Sequence, residues 1–201
     1  KMLLIDVRIK NYKCILDSET FSIDQLTCLV GKNESGKSAI LQALYKLNPV
    51  DKEDTYDALY EYPKMYQTDF EAGLIEDGDT VVISHWKFTA EEIEALEKQF
   101  GTDFIGDSTV VTISNGYKNK RTWDFDANFH SLFEKKMEEF GFETSDRAQI
   151  PSYDSISEVR AQLKSISTLS EAEQEFKKWF EVSFPNDRLD VFAEKNLLQY
   201  L

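Results

Sequence analysis

Residues 31–38 read GKNESGKS, a glycine, four further residues and then Gly-Lys-Ser, and few short patterns limit so strongly what a chain can fold into. The apolar run LTCLV (26–30) stands directly before it and predicts a short buried strand ending at Gly31. KSAILQALYKL (37–47) follows, with Ile40, Leu41, Leu44 and Leu47 at the spacing of one helix face. Strand, glycine-rich turn and helix in that order make an α/β phosphate-binding loop. Backbone N–H groups must wrap a phosphate, and glycines at 31 and 36 allow the dihedrals and the close approach that a Cβ would block. The helix starting near Lys37 adds the partial positive charge of its N-terminus. Lys37 is the candidate catalytic group, reaching the β- and γ-phosphates, and the Ser38 hydroxyl is the candidate Mg²⁺ ligand. The candidate nucleotide-binding residues are Gly31, Lys32, Asn33, Glu34, Ser35, Gly36, Lys37, Ser38 and Ala39, with ATP and Mg²⁺ as the expected ligands.

Binding is only half of hydrolysis. An acidic residue at the end of a second buried strand normally holds the metal's water shell. No run of four apolar residues followed by Asp or Glu stands out, and the nearest, AGLIED (72–77), carries a glycine and leads into Asp77-Gly78-Asp79, which suits a turn. The chain is therefore expected to bind ATP with little turnover of its own.

The order MLLIDVRIKNYKCILDSETFSIDQLTCLVGKNESGKSAILQAL resembles the N-terminal head segment of the ABC-type ATPases of DNA metabolism: the structural-maintenance-of-chromosomes, RecF and overcoming-lysogenization-defect (OLD) groups. IKNYK stands where that family has I-x-N-F-[RK], and Asn11, Lys13, Asn33, Ser35 and Ala43 agree as well as the loop itself. Further on, VVISHWKFTAEEIEALEKQFG is similar to the strand and T-x-E-E helix of AAA-type ATP-binding proteins grouped with OLD nucleases. The resemblance implies a cationic Lys13 near the nucleotide phosphates and a split head. The Ser-Gly signature, Walker B acids and switch His would lie in a C-terminal lobe, and none of them is found in this sequence. Gln67 and Gln149 are the positional candidates for a Gln loop. It also implies two heads sandwiching two ATP molecules, as a homodimer or with a partner chain, in a protein acting on DNA in repair or anti-phage defence. The final AEKNLLQYL breaks off within an apolar periodic pattern, so the helical segment is expected to continue into that lobe.

Other functions of such a loop are less well matched. A GTPase would need Asn-Lys-x-Asp, and NKRT at Asn119 lacks the Asp; a small kinase would need an arginine-rich lid, and Arg8, Arg121, Arg147, Arg160 and Arg188 are scattered. A nucleotide-responsive interaction module without catalysis is the remaining alternative.

With 23 basic and 37 acidic residues the net charge is -14, which opposes broad adhesion to DNA or anionic membranes. Lys118, Lys120 and Arg121 form one small basic group in NGYKNKR (115–121), expected to be a solvated hairpin tip. Cys14 and Cys28 lie in apolar runs and read as reduced core residues of a cytoplasmic protein; His85 and His130 have no companions for a metal site. No apolar run approaches the ~20 residues of a membrane helix, and no signal-peptide pattern opens the sequence.

The expected fold is an α/β P-loop NTPase lobe with a mixed sheet, a small antiparallel region and a helical C-terminal part, divided as 1–125 and 126–201. Three strands (2–10, 14–21 and 26–30) precede the loop, and 79–88 forms another. STVVTI and KRTWDF pair about an Asn115-Gly116 turn. Thr89/Glu92, Ser155/Glu158 and Ser170/Glu173 mark helix starts. The stripes Phe129, Leu132, Phe133, Met137, Phe140 and Phe176, Trp179, Phe180 are expected to be core rather than a cofactor site. Residues 50–78 carry no assigned role.

Overall fold

The computed structural model describes residues 1–32, 35–51, 53–75 and 79–201, which form two compact units. One unit contains Met2–Lys87, Val110–Asp124 and Leu201, and the other contains Lys1, Phe88–Thr109 and Phe125–Tyr200.

The first unit is built on strand alternation. β1 (Leu3–Tyr12) buries Val7 and Ile9 while Asp6, Arg8 and Lys10 project to the opposite side. β2 (Ile15–Ser22) pairs antiparallel along one edge of β1 and β3 (Thr80–Lys87) along the other. β4 (Val110–Gly116) and β5 (Arg121–Phe125) complete the order β2-β1-β3-β4-β5. Register places Val7 opposite Phe21 and Ser84, Ile9 opposite Val82, and Trp86 opposite Val111, so the apolar residues share one face. Asp6, His85, Arg8 and Thr20 share the other, where His85 Nδ1 lies 2.5 Å from Asp6 Oδ1 and Arg8 pairs with Asp17. A sheet with one apolar and one polar face needs a single covering layer.

That cover begins with α1 (Lys37–Tyr45), whose Ala39 and Ala43 lie in the same buried cluster as Ile9, Tyr12, Val81 and Val82. Two alanines let the helix backbone approach the strands closely. The short helices α2 (Ala58–Glu61) and α3 (Gln67–Glu71), with a 3₁₀ turn at Lys64–Tyr66 between them, bring in Tyr56, Tyr62 and Phe70. Tyr62 stacks on Phe70 with ring centroids 4.2 Å apart, and Tyr117 packs against both.

The second unit contains α4 (Ala90–Phe100), α5 (Phe129–Glu139), α6 (Thr144–Gln149), α7 (Ile156–Ser165), α8 (Glu171–Ser183) and α9 (Asp190–Leu197). Thr89 and Glu92 close a full capping box on α4, and Ser170 and Glu173 do so on α8. Ser155 caps α7 by accepting from the Glu158 N–H. Leu132, Phe133, Met137, Phe176 and Phe180 are buried as their spacing predicts, and Phe184 and Phe192 join them with ring centroids 5.3 Å apart. Full burial of each ring is worth roughly 1.5–3 kcal/mol.

Several expectations are corrected. Leu26–Val30 is not a strand: Leu26 is 86% and Val30 92% exposed, because no neighbouring strand among the described residues pairs with the run. Two strands, not three, therefore precede the loop. Cys14 and Cys28 are both exposed rather than core. Leu41 points outward, and Ala39 and Ala43 provide the buried side of α1, with Leu47 buried just beyond its end. The strands expected in a mixed sheet and a separate antiparallel region join one antiparallel sheet, within the expected α/β class. The β4–β5 turn falls at 117–119, with Lys118 and Asn119 at positive φ, while Asn115 and Gly116 extend β4. Gly116 is needed there because a Cβ would lie 2.0 Å from the Asp79 carbonyl oxygen.

Candidate functional site

Gly31, Lys32, Ser35, Gly36, Lys37, Ser38 and Ala39 bring the loop to the first turn of α1, while Asn33 and Glu34 lie outside the described residues. Gly36 turns the chain into the helix at φ 87, a left-handed conformation that disfavours any Cβ, and an added Cβ would stand 3.4 Å from Cys14 Sγ. At Gly31 an added Cβ would come within 2.9 Å of Ser35 Oγ, so the loop closes on itself where a side chain would stand.

The helix start is chemically open. No side chain caps α1 and no acid lies in its first turn, so among the described residues no carboxylate on the helix competes for its leading N–H groups and partial positive charge. Lys37 Nζ folds across the loop and donates to the carbonyls of Gly31 (2.7 Å) and Lys32 (2.6 Å) and to Ser35 Oγ (3.3 Å). These are weak competitors for an ammonium compared with a phosphate. Ser38 is exposed one residue further on, whereas the Ala39 side chain is buried, which leaves Ala39 its backbone N–H as a binding group.

A cleft of about 470 Å³ is lined by Lys13, Cys14, Gly36, Lys37, Ser38, Ala39 and Gln42. Lys13 thus reaches the same space as the loop from the end of β1. Its ammonium donates to Gln42 Oε1 at 2.5 Å, and its backbone N–H donates to the Glu61 carbonyl at 2.6 Å. Behind it, Glu61 Oε1 accepts from the Tyr12 hydroxyl (2.8 Å) and from Lys46 Nζ (2.9 Å). Burial opposes ionisation of Glu61, but the Asp57 N–H, the Lys46 ammonium and the Tyr12 hydroxyl together hold its carboxyl below the ordinary value. Burial, with the hydrogen bond to Glu61, pushes the Tyr12 hydroxyl well above its ordinary value, so it remains a donor.

The other candidates lie elsewhere. Gln67, in α3, donates to Glu71, and Gln149 ends α6 in the other unit; neither lines the cleft. The basic group of the hairpin is occupied within its own unit: Lys120 pairs with Asp79, Arg121 donates to Asn115 and to the Leu47 carbonyl, and Lys118 lies over Phe70. His85 pairs with Asp6, and His130 pairs with Asp154 while stacking on Tyr153. Among the described residues no group of three or more His, Cys, Asp or Glu is placed to hold a metal. AGLIED is divided: Gly73 turns at φ 70, and Glu76 and Asp77 lie outside the described residues.

The sequence reading missed Gln42 and Glu61. Gln42 had a signal, since it follows Ser38 by one helical turn and therefore shares its face. Glu61 had none, because its partners are 15 and 49 residues away.

No curated protein matches this chain. A family model described as the AAA ATPase domain matches residues 2–196, nearly the whole sequence, and the chain accordingly belongs to the AAA ATPase domain family, which binds ATP.

Proposed function

We propose that Gly31–Ala39, with Lys13, is the phosphate site of an ABC-type head of the SMC/RecF/OLD kind, and that the chain is the ATP-binding portion of an ATPase working in DNA metabolism, repair or anti-phage defence. The observation that carries this reading is the convergence of Lys13, Lys37, Ser38 and the open N-terminus of α1 on one cleft. The residues fit the ligand: the glycines leave space where any Cβ would intrude, and the cations face a helix end with no acid of its own. Lys37 holds the β- and γ-phosphates, the N–H groups of the loop and of Ala39 surround them, and Ser38 is the protein's ligand to Mg²⁺.

In this reading the acid that would complete hydrolysis comes from a second lobe, and a second head, in a homodimer or from a partner chain, closes over the nucleotide. DNA contacts are made mostly by other regions, in keeping with the net charge of -14 and the internal pairing of Lys120 and Arg121. Among the described residues no helix is long and apolar enough to cross a membrane. A cytoplasmic location accords with two unpaired, exposed thiols.

Titration with a fluorescent Mg-ATP analogue tests the site. Lys37→Ala is expected to weaken binding by about ten- to a hundredfold, as the loss of a charge-assisted hydrogen bond worth ~1.5–3 kcal/mol implies, with an unchanged circular dichroism spectrum. Undiminished binding would remove the site assignment. Brisk multiple-turnover hydrolysis by this chain alone would remove the claim that its catalytic acid is supplied from elsewhere.

A further inference from the structure

Lys13 is held from two sides before any ligand arrives. Its backbone lies at φ 54, a left-handed conformation that a lysine keeps only where its surroundings enforce it. Glu61 enforces it: the Glu61 carbonyl takes the Lys13 N–H, and Glu61 Oε1 stands 3.9 Å from Lys13 Nζ while accepting the hydroxyl of the preceding residue, Tyr12. Glu61 is only 8% exposed, and both its oxygens bond Lys46, the residue that ends α1. Lys46 in turn donates to the Thr55 carbonyl and pairs with Asp54. One buried carboxylate thus fixes the end of β1 that bears Lys13 and the far end of the helix that bears Lys37 and Ser38.

Gln42 provides the second hold. Its carbonyl oxygen bonds the Lys13 ammonium within the cleft, and being neutral it directs the charge without cancelling it. A carboxylate in closest contact would instead have neutralised the cation. Glu61, at 3.9 Å, forms an ion pair with the ammonium without a hydrogen bond, so the ammonium's N–H donors beyond the one on Gln42 stay available.

We propose that Glu61 is a positioning residue and Gln42 a guide that together aim the Lys13 ammonium at the phosphates of the bound nucleotide. The proposal rests on the phosphate-site reading above and adds the determinant of where its second cation points. For nucleotide binding Glu61 acts only through Lys13, and Gln42 acts from the cleft wall.

The test is a double-mutant cycle on this chain, with Mg-ATP as the probe and the dissociation constant as the readout. Lys13→Met and Glu61→Gln are each expected to weaken binding about tenfold, and the double variant no further, because Glu61 has nothing to aim once the ammonium is gone. A structural role alone would give losses that multiply, and multiplied losses overturn the proposal. Should Glu61→Gln unfold the chain, the exposed Gln42→Ala takes its place in the cycle: a loss of about threefold that disappears in the Lys13→Met background supports the proposal, and an equal loss in both backgrounds overturns it. The two readings fail separately. Undiminished binding by Lys37→Ala removes the phosphate site itself, whereas loss of binding by Lys37→Ala together with independent effects in the cycle removes only the positioning role.

Discussion

Glu61 makes an acid-sensitive fastening of an otherwise tyrosine-lined core. Its folded carboxyl titrates below the ordinary 4.5, so the unfolded chain takes up its proton first as the pH falls. The stabilisation it provides is complete above that ordinary value and fades as the pH drops through the folded one. Glu61→Gln is therefore expected to flatten the acid limb of a urea-midpoint-against-pH profile below about pH 4.5 while lowering stability at neutral pH. An acid limb of unchanged slope would show that other carboxylates govern it. Tyr56 and Tyr117 add no titration of their own near neutrality, since burial drives both hydroxyls upward and each donates to a backbone carbonyl, of Ala43 and Asn11 respectively.

Elements whose signals are local match the sequence closely. The capping boxes at Thr89/Glu92 and Ser170/Glu173 involve residues three apart, so adjacent letters suffice to show them. The Gly31–Ser38 pattern is local in the same sense, because its two glycines, Lys37 and Ser38 come from one contiguous stretch. Several of the failures depend on distant partners. LTCLV has the composition of a strand, but strand formation requires a neighbour to pair with. Asn115-Gly116 has the letters of a tight hairpin, yet the close approach of the Asp79 carbonyl keeps Gly116 extended and moves the turn along the chain. Within residues 50–78, to which the sequence assigns no role, Tyr56, Glu61 and Tyr62 bond or pack against β1, α1 and Tyr117, far along the chain. The local signals carry measurable energy: Ser170→Ala is expected to destabilise the chain by about 1 kcal/mol, the usual cost of a lost N-cap, read as a lower urea midpoint at constant slope. A change within a few tenths would show that α8 is held by its aromatic packing alone.

Across the whole molecule the dominant quantity is charge. Fourteen excess negative charges repel a polyanion, and many of the cations are already engaged: Lys46 with Glu61, Lys120 with Asp79, Arg147 with Glu134 and Arg160 with Asp187. In about 0.15 M salt this chain is expected to leave duplex DNA unshifted in a gel at micromolar concentrations, with or without Mg-ATP. A discrete shifted band would place a DNA contact within these residues. Charge repulsion also keeps copies of the chain apart, but it weakens as salt is raised. At Leu26–Val30 an uncharged, β-prone segment then lies open to solvent with its backbone unladdered among the described residues. Such a segment is a template for strand pairing between molecules. The stretch that leads into Gly31 is thus expected to limit how concentrated a salted solution of the protein can become before it clouds.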